Sequence, residues 1–367
     1  RIMYIGFFIR DFCSMPYIKL LESLNQPKEI IVTINRQWRL KTRPSGLIGP
    51  EHFEYVETEL VDTAAEEVLV RNLCLSFDPT QRGWVNDMES YMPPVAIGEV
   101  MRAGTVGQVV ESNHADFEPG DLVQGLGGWQ DFFTVSKGVG LSKLPEGITP
   151  EQALGVFGTT GLTAYFGLLD LSEPKPGDTV LVSGAAGATG SVVGQIAKIK
   201  GARVIGIAGG PEKCAWLTES LGFDAAIDYK NESVAEGVAR HCQDRINIFF
   251  DNVGGDILEI GLSHLAMNAR VILCGGISGY NETEPQPGPK NIMNLVITRS
   301  RMEGFIIVDY LHRMGEFLAD MVPWYQQGLV QHKEDIQQGF ENIPSTLQRL
   351  FSGQNTGKQL LKLADPV

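Results

Sequence analysis

Basic residues are in short supply in this 367-residue chain: 30 lysines and arginines stand against 44 aspartates and glutamates, a formal net charge of -14. That deficit argues against a nucleic-acid or anionic-membrane partner, since both need a basic face for phosphate. A local cationic site for a single phosphate is still compatible with it. Cysteine is sparse as well. Cys13, Cys74, Cys214, Cys242 and Cys274 are scattered, odd in number and without a CxxC pair. This argues against a disulfide framework or a cysteine zinc centre and points to free thiols in a reducing, cytoplasmic setting. No run approaches the roughly 20 apolar residues of a membrane span. The apolar stretch Ile2–Ile9 is stopped by Arg10 and Asp11, is short for a signal-peptide core and has no small-residue cleavage site after it. The six histidines (His52, His114, His241, His264, His312, His332) show no ligand-like spacing, so no metal is expected.

What is present is glycine, 42 of them, with 43% apolar and 20% charged residues. That is the make-up of an ordinary globular protein with many tight turns and enough apolar material for two cores. From about Thr33 to Leu144, short apolar runs such as Val68–Val70, Thr105–Val110 and Leu122–Val123 are punctuated by Gly, Pro and Asp, the rhythm of a mostly β domain. From about Phe157 strand and helix alternate. Strands are expected at Thr179–Ser183, Arg203–Ala208, Ala225–Asp228, Ile246–Asp251 and Arg270–Cys274. Helices are expected at Ser191–Lys200, Pro211–Leu221, Val234–Arg240 and Ile257–Leu265. Such alternation with short loops predicts a doubly wound parallel sheet. After Trp324 the pattern predicts a strand at His332–Ile336, a helix at Ile343–Phe351 and a final strand at Lys358–Leu363, a tail that returns to the first domain.

The segment Ser183-Gly184-Ala185-Ala186-Gly187-Ala188-Thr189-Gly190 lies between a strand and a helix. Glycines there let backbone approach a pyrophosphate, and the helix start offers free N–H donors and a positive dipole end. The surrounding βαβ unit is the context that gives the motif weight. An NAD site would place an acid about 20 residues on, to hold the ribose hydroxyl. Twenty-one residues past Gly187 stands Ala208, followed by Gly209 and Gly210. The missing carboxylate leaves room for the 2′-phosphate of NADP. Lys213, in the first turn of the next helix, opposes the helix dipole, which a nearby anion would explain; a solvated surface lysine is the alternative.

The chain carries Asn35-Arg36-Gln37-Trp38, Arg43-Pro44, Gly161-Leu162-Thr163-Ala164-Tyr165-Phe166-Gly167, Val192 to Lys198, Asp251-Asn252-Val253-Gly254-Gly255, Tyr280-Asn281 with Pro287-Gly288-Pro289, and Gly357-Lys358. Together these resemble the prostaglandin, alkenal and curcumin reductases of the zinc-free medium-chain dehydrogenase/reductase class, and Ser112-Asn113-His114 and Gly128-Trp129-Gln130-Asp131 lean toward the bacterial curcumin-reductase branch. The resemblance implies a mostly-β GroES-like catalytic domain (31–155 and 326–367), a Rossmann NADP-binding domain (156–325) and a homodimer, with residues 1–30 an extension outside it. It also implies site residues. Gly187, Ala188, Thr189 and Gly190 would hold the pyrophosphate, and Lys213 and Tyr229 the 2′-phosphate. Asn252, the run Cys274, Gly275, Ile277, Ser278 and Tyr280, then Phe305, Ile306, Ile307 and Asn355 would line the adenine and nicotinamide ribose region. Tyr280 would stand beside the substrate as the catalytic candidate, with Tyr91 a second candidate across the cleft. Two departures touch that cleft: Thr80-Gln81 replaces a usual Tyr-Met, and Thr159-Thr160 a usual Met-Pro.

Zinc alcohol dehydrogenases of the class carry Gly-His-Glu where this chain has Ile97-Gly98-Glu99. The expected chemistry is therefore reduction of the C=C bond of an enone or enal by NADPH. Charge develops on the carbonyl oxygen, and a donor there, expected to be Tyr280 or a ribose hydroxyl it orients, stabilises the transition state. Two alternatives stay open: a quinone reductase, and an NADPH-binding structural or regulatory protein without catalysis.

Overall fold

The computed structural model describes residues 33–284 and 286–367. The extension expected at 1–30, with Cys13, lies outside the described residues.

The first lobe opens with an antiparallel hairpin of β1 (Ile34–Leu40) and β2 (Phe53–Glu59). Strand β3 (Glu67–Ser76) then forms the spine of a seven-stranded sheet. It is buried along nearly its whole length, with the apolar runs Val68–Val70 and Leu73–Leu75 on either side of Arg71 and Asn72. The helix α1 (Thr80–Trp84) follows it. Next come β4 (Thr105–Ser112), β5 (Leu122–Gly125), β6 (Phe132–Ser136) and β7 (Ser142–Lys143). Strands β4 and β6 pair with β3, β5 with β4, and β7 with β5, all antiparallel. Trp129, fully buried, anchors the core beneath them, its ring 4.7 Å from that of Phe53 and 5.8 Å from that of Phe77.

Helices α2 (Pro150–Leu154) and α3 (Thr159–Ser172) lead into the second lobe. There the chain runs β8 (Thr179–Val182), α4 (Ala188–Ile199), β9 (Arg203–Ala208), α5 (Pro211–Ala215) and β10 (Ala225–Asp228). It continues through α6 (Val234–His241), β11 (Ile246–Asp251), α7 (Gly255–Leu262), β12 (Leu265–Leu273), α8 (Asn294–Thr298), β13 (Arg301–Gly304) and α9 (Met314–Gln326). The six strands are parallel, in the order β10-β9-β8-β11-β12-β13. The tail, β14 (Glu334–Gln338), α10 (Ile343–Phe351) and β15 (Lys358–Lys362), joins the first sheet, with β15 antiparallel to β3. Among the described residues, no helix is long and apolar enough to cross a membrane.

The α/β class with its two large sheets agrees with the sequence expectation; several element bounds do not. Helix α4 begins at Ala188, not Ser191, because Gly187 is the last extended residue (φ -84°, ψ 174°). The helix expected at Pro211–Leu221 is α-helical only to Ala215 and then runs as a π-turn from Trp216 to Ser220. Helix α7 ends at Leu262 rather than Leu265, which frees Leu265 to start β12 five residues before the expected Arg270. Strand β14 starts at Glu334, two residues late. Three elements carry no signal that periodicity reads. Helix α3 buries nine of its fourteen residues and so lacks a polar stripe. Helix α9 contains Pro323, a helix breaker tolerated near its end. Edge strand β13 reads Arg-Met-Glu-Gly. The Gly167 motif has a packing cause: a Cβ there would stand 2.5 Å from the Phe305 ring.

Candidate active site

Strands β8 and β11 are neighbours, but the chain leaves β8 toward β9 and leaves β11 toward β12. The loops after them part in opposite directions, and this is where a doubly wound sheet opens a ligand crevice at its carboxyl edge. The loops beginning at Ser183, Gly209, Asn252, Cys274 and Phe305 all follow carboxyl ends of this sheet. A residue not among the expected site residues ties two of them together. Asp251, fully buried, accepts from Ser183 Oγ at 2.5 Å and from the N–H groups of Val253 at 3.1 Å and Gly254 at 3.0 Å. Burial still holds its carboxyl above the usual range, against those donors. Asn252 completes the clamp by donating to Ser183 O at 2.7 Å.

At the glycine loop, Gly187 caps α4 without a side chain, so the N–H groups of Ala188, Thr189 and Gly190 point out of the first turn with no acceptor in the helix. Gly190 is required by closeness: a Cβ would lie 2.5 Å from Gly184 O. The C-terminal tail fixes the loop from the other lobe, where Gly357 donates its N–H to Ala186 O at 2.8 Å. This cradle of bare backbone donors fits a pyrophosphate.

Beyond it, the structure brings Lys213 and Tyr229 together over Gly209 and Gly353. Lys213 Nζ donates to Gly353 O at 2.8 Å, and a Cβ on Gly353 would sit 3.4 Å from the Tyr229 hydroxyl. Burial first, then the charge of Lys230, hold the Lys213 ammonium below its ordinary value, with Asp335 offsetting a little. Two cations share this corner, which fits a 2′-phosphate. Asp228, at the end of β10, is committed elsewhere: it accepts from the Gly210 N–H at 2.7 Å, Asn231 Nδ2 at 2.7 Å and the Lys230 N–H at 3.1 Å. Burial pushes this carboxyl up, but those donors outweigh it and leave it below the usual range.

At the other end, the 274–280 loop is strapped to the 252–253 loop. The Ile277 N–H donates to Asn252 O at 3.3 Å, and Ser278 donates to Val253 O through its N–H at 3.1 Å and its Oγ at 2.6 Å. The Cys274 thiol is pushed up to about 12 by burial and then by Asp251, so it stays protonated beside the cleft. Gly275 lies under the Tyr280 hydroxyl, 3.1 Å from where its Cβ would be. The Phe305 ring is turned into the core against Gly167, Phe250 and Tyr310, so only its backbone can face a nucleotide. Ile306 and Ile307 are half-buried at the same edge, and Asn355 donates to Gly357 O at 3.0 Å.

Tyr280 is the distinctive group. Its oxygen accepts from the Gly276 N–H at 3.2 Å, and its own proton has no acceptor among the described residues. Burial first holds the phenol above its ordinary value, against the Gly276 bond; the charges of Cys274 and Tyr91 act in the same sense as burial. Tyr91 is more exposed, at 45%, and is held by Thr80 Oγ1 and by Trp84 Nε1, the latter at 3.1 Å. The departure at Thr80 thus has a structural result: its hydroxyl fixes Tyr91. The departure at Thr159-Thr160 forms the first turn of α3, where Thr160 Oγ1 donates to Gly155 O at 3.0 Å. Beside Tyr280 a cavity of about 510 Å³ lies between the lobes, lined by Pro44, Gly46, Arg82 and Met88 on one side and by Tyr280 and Thr283 on the other. Among the described residues there is no group of three or more His, Cys, Asp or Glu that could hold a metal ion.

A β-rich lobe, a doubly wound lobe and a glycine loop at the switch point define the medium-chain dehydrogenase/reductase architecture. Residues 36–144 match the family described as N-terminal domain of oxidoreductase, and residues 188–324 the family described as zinc-binding dehydrogenase. The chain is 45% identical to the NADPH-dependent curcumin reductase of Escherichia coli over 338 residues, 90% of this chain and 97% of that protein. It is 38% identical to the NADP(+)-dependent 2-alkenal reductase of Nicotiana tabacum, over 90% of this chain and 98% of that one. The crystal structure of CurA in complex with NADPH from Vibrio vulnificus superposes with a TM-score of 0.86 at 46% identity, covering 90% of this chain and all of that one. The chain therefore belongs to the medium-chain oxidoreductase family that contains the curcumin and 2-alkenal reductases.

Proposed function

We propose that this protein reduces the C=C bond of α,β-unsaturated ketones or aldehydes with NADPH. The observation that carries this reading is the Tyr280 hydroxyl, its oxygen held by Gly276 and its proton free, beside a cavity between the lobes. Residues Gly187 to Gly190 would hold the pyrophosphate, and Lys213 and Tyr229 the 2′-phosphate. Asn252, the 274–280 loop, the 305–307 backbone and Asn355 would line the ribose and nicotinamide. When bound, NADPH supplies a hydride to the β-carbon of the substrate. Tyr280 donates its O–H to the carbonyl oxygen, where negative charge collects. Burial favours the neutral phenol, so the proton is in place at neutral pH. The α-carbon then takes a proton from Tyr280 or from water. Tyr91, fixed by Thr80 and Trp84, stands close enough to Tyr280 to affect its charge and is the second candidate at the cleft.

The test is loss of NADPH absorbance on adding a panel of enones, enals and quinones. Turnover of the enones and enals with slower turnover of quinones supports the proposal. Tight NADPH binding with no turnover across the panel would favour a binding protein.

A homodimer is part of the proposal. The outer edge of β13 is unpaired among the described strands, and Met293, Val296 and Ile297 beside it are 63 to 67% exposed. An apolar patch next to an open edge favours a second copy. Light scattering is expected to give twice the chain mass, reduced to one chain mass by Val296→Asp. The free thiols of Cys74, Cys214, Cys242 and Cys274 support a reducing, cytoplasmic setting.

A further inference from the structure

Arg82 is a buried cation with no carboxylate partner. It is 3% exposed and forms no ion pair among the described residues, and burial alone draws its guanidinium below the ordinary value. Such a group is costly unless its donors are met. They are met by four neutral acceptors. Nη2 donates to Gly46 O at 3.0 Å and Pro44 O at 3.3 Å, Nη1 to Asn86 Oδ1 at 2.5 Å, and Nε to Asn281 Oδ1 at 3.1 Å. The first three belong to the β-rich lobe. The fourth belongs to the other lobe and is the residue after Tyr280. The same Asn281 oxygen also accepts from the Ile48 N–H at 3.4 Å.

We infer that Arg82 and Asn281 form a latch across the cleft that positions the Tyr280 hydroxyl over the substrate. The inference rests on the proposed role of Tyr280. A planar guanidinium suits such a latch. Its Nη groups are locked into one lobe, so the direction of Nε is fixed and with it the place where Asn281 must sit. A lysine has neither the fork nor the Nε donor. Apart from the bonds that Asn281 Oδ1 accepts from Arg82 and Ile48, the hydrogen bonds of the loop from Gly275 to Thr283 stay, among the described residues, within its own lobe, through Ile277 to Asn252 and Ser278 to Val253. The latch is therefore what registers Tyr280 against the wall that carries Tyr91. Misplacing a reacting group by about 1 Å can cost roughly 100-fold in rate. Arg82 and Asn281 are thus positioning residues that act through Tyr280.

The experiment compares Asn281→Ala and Arg82→Lys in the full chain, each alone and each in a Tyr280→Phe background, with an enone and NADPH. The expected result for either single variant is a fall in kcat of about 10–100-fold. NADPH affinity is expected to fall by less than kcat does, because neither residue belongs to the Gly187–Gly190 cradle or to the Lys213 corner. In the Tyr280→Phe background the same changes are expected to move kcat by less than about twofold, because the group they position is gone. An equal loss in both backgrounds, or none in either, overturns the latch. Hydrogen exchange at the Ile48 amide gives a reading independent of activity: it is expected to quicken in Asn281→Ala, and unchanged protection overturns the latch. If Tyr280→Phe itself keeps full turnover, the donor role of Tyr280 fails, and the Ile48 amide alone judges whether the latch exists.

Discussion

Tyr280→Phe is expected to lower kcat for an enone by about 100-fold, with NADPH affinity changed by no more than about twofold. The substitution removes one O–H and little else. The ring stays in place, and the Gly276 N–H loses its acceptor, a modest change at a half-buried site. What disappears is a donor aimed at an oxygen that becomes charged only as hydride arrives, so the loss falls on turnover and not on ground-state binding. The pH profile offers a second reading. Burial raises the Tyr280 titration, so the donor is present through neutral pH and is lost only above the ordinary tyrosine value. The wild type should therefore hold its rate into alkaline solution and then fall, and the Phe variant should lack that alkaline limb. Stopped-flow and steady-state turnover across pH would check both.

Lys213→Ala is expected to weaken NADPH by about 10–100-fold and to leave NADH nearly unchanged, as read by fluorescence titration. A charge-assisted bond to a phosphate is worth about 1.5–3 kcal/mol, which sets that range. Gly353 and Tyr229 frame the corner from two sides, so the ammonium is held in place before the nucleotide arrives. Burial and Lys230 lower its titration. The charged form is thus lost at lower pH than for an ordinary lysine, and NADPH affinity should decline on the alkaline side sooner than an exposed lysine would allow. The Ala variant should show a flatter decline.

The second lobe is legible in the sequence because its strands are short apolar runs separated by amphipathic helices with glycine or proline at their ends. The loop at Ser183–Gly190 is legible because glycine has few other reasons to recur between a buried strand and a helix. Lys213 stands out in the sequence by its misfit with the helix dipole. Helix α3, buried on most sides, and β13, charged at the sheet edge, have no period to read. Neither Asp251 nor Arg82 can be placed from sequence, for a different reason. Asp251 acts through Ser183, 68 positions earlier, and Arg82 through Asn281, 199 positions later. Only the folded chain brings those partners together. The run Asp251-Asn252-Val253-Gly254-Gly255 hints at a turn of special geometry, and Gly254 and Gly255 do adopt positive φ, 74° and 55°. The carboxylate's grip on that turn carries no sequence signal. The Thr80 departure is visible in the sequence, but its bond to Tyr91 is not.

The most direct trial of the proposed chemistry follows the hydride. NADPH deuterated at C4 would be incubated with the enzyme and an α,β-unsaturated ketone, and the product analysed by NMR. Deuterium on the β-carbon of a saturated ketone is the expected result. Deuterium on the former carbonyl carbon, as in an allylic alcohol, would contradict C=C reduction.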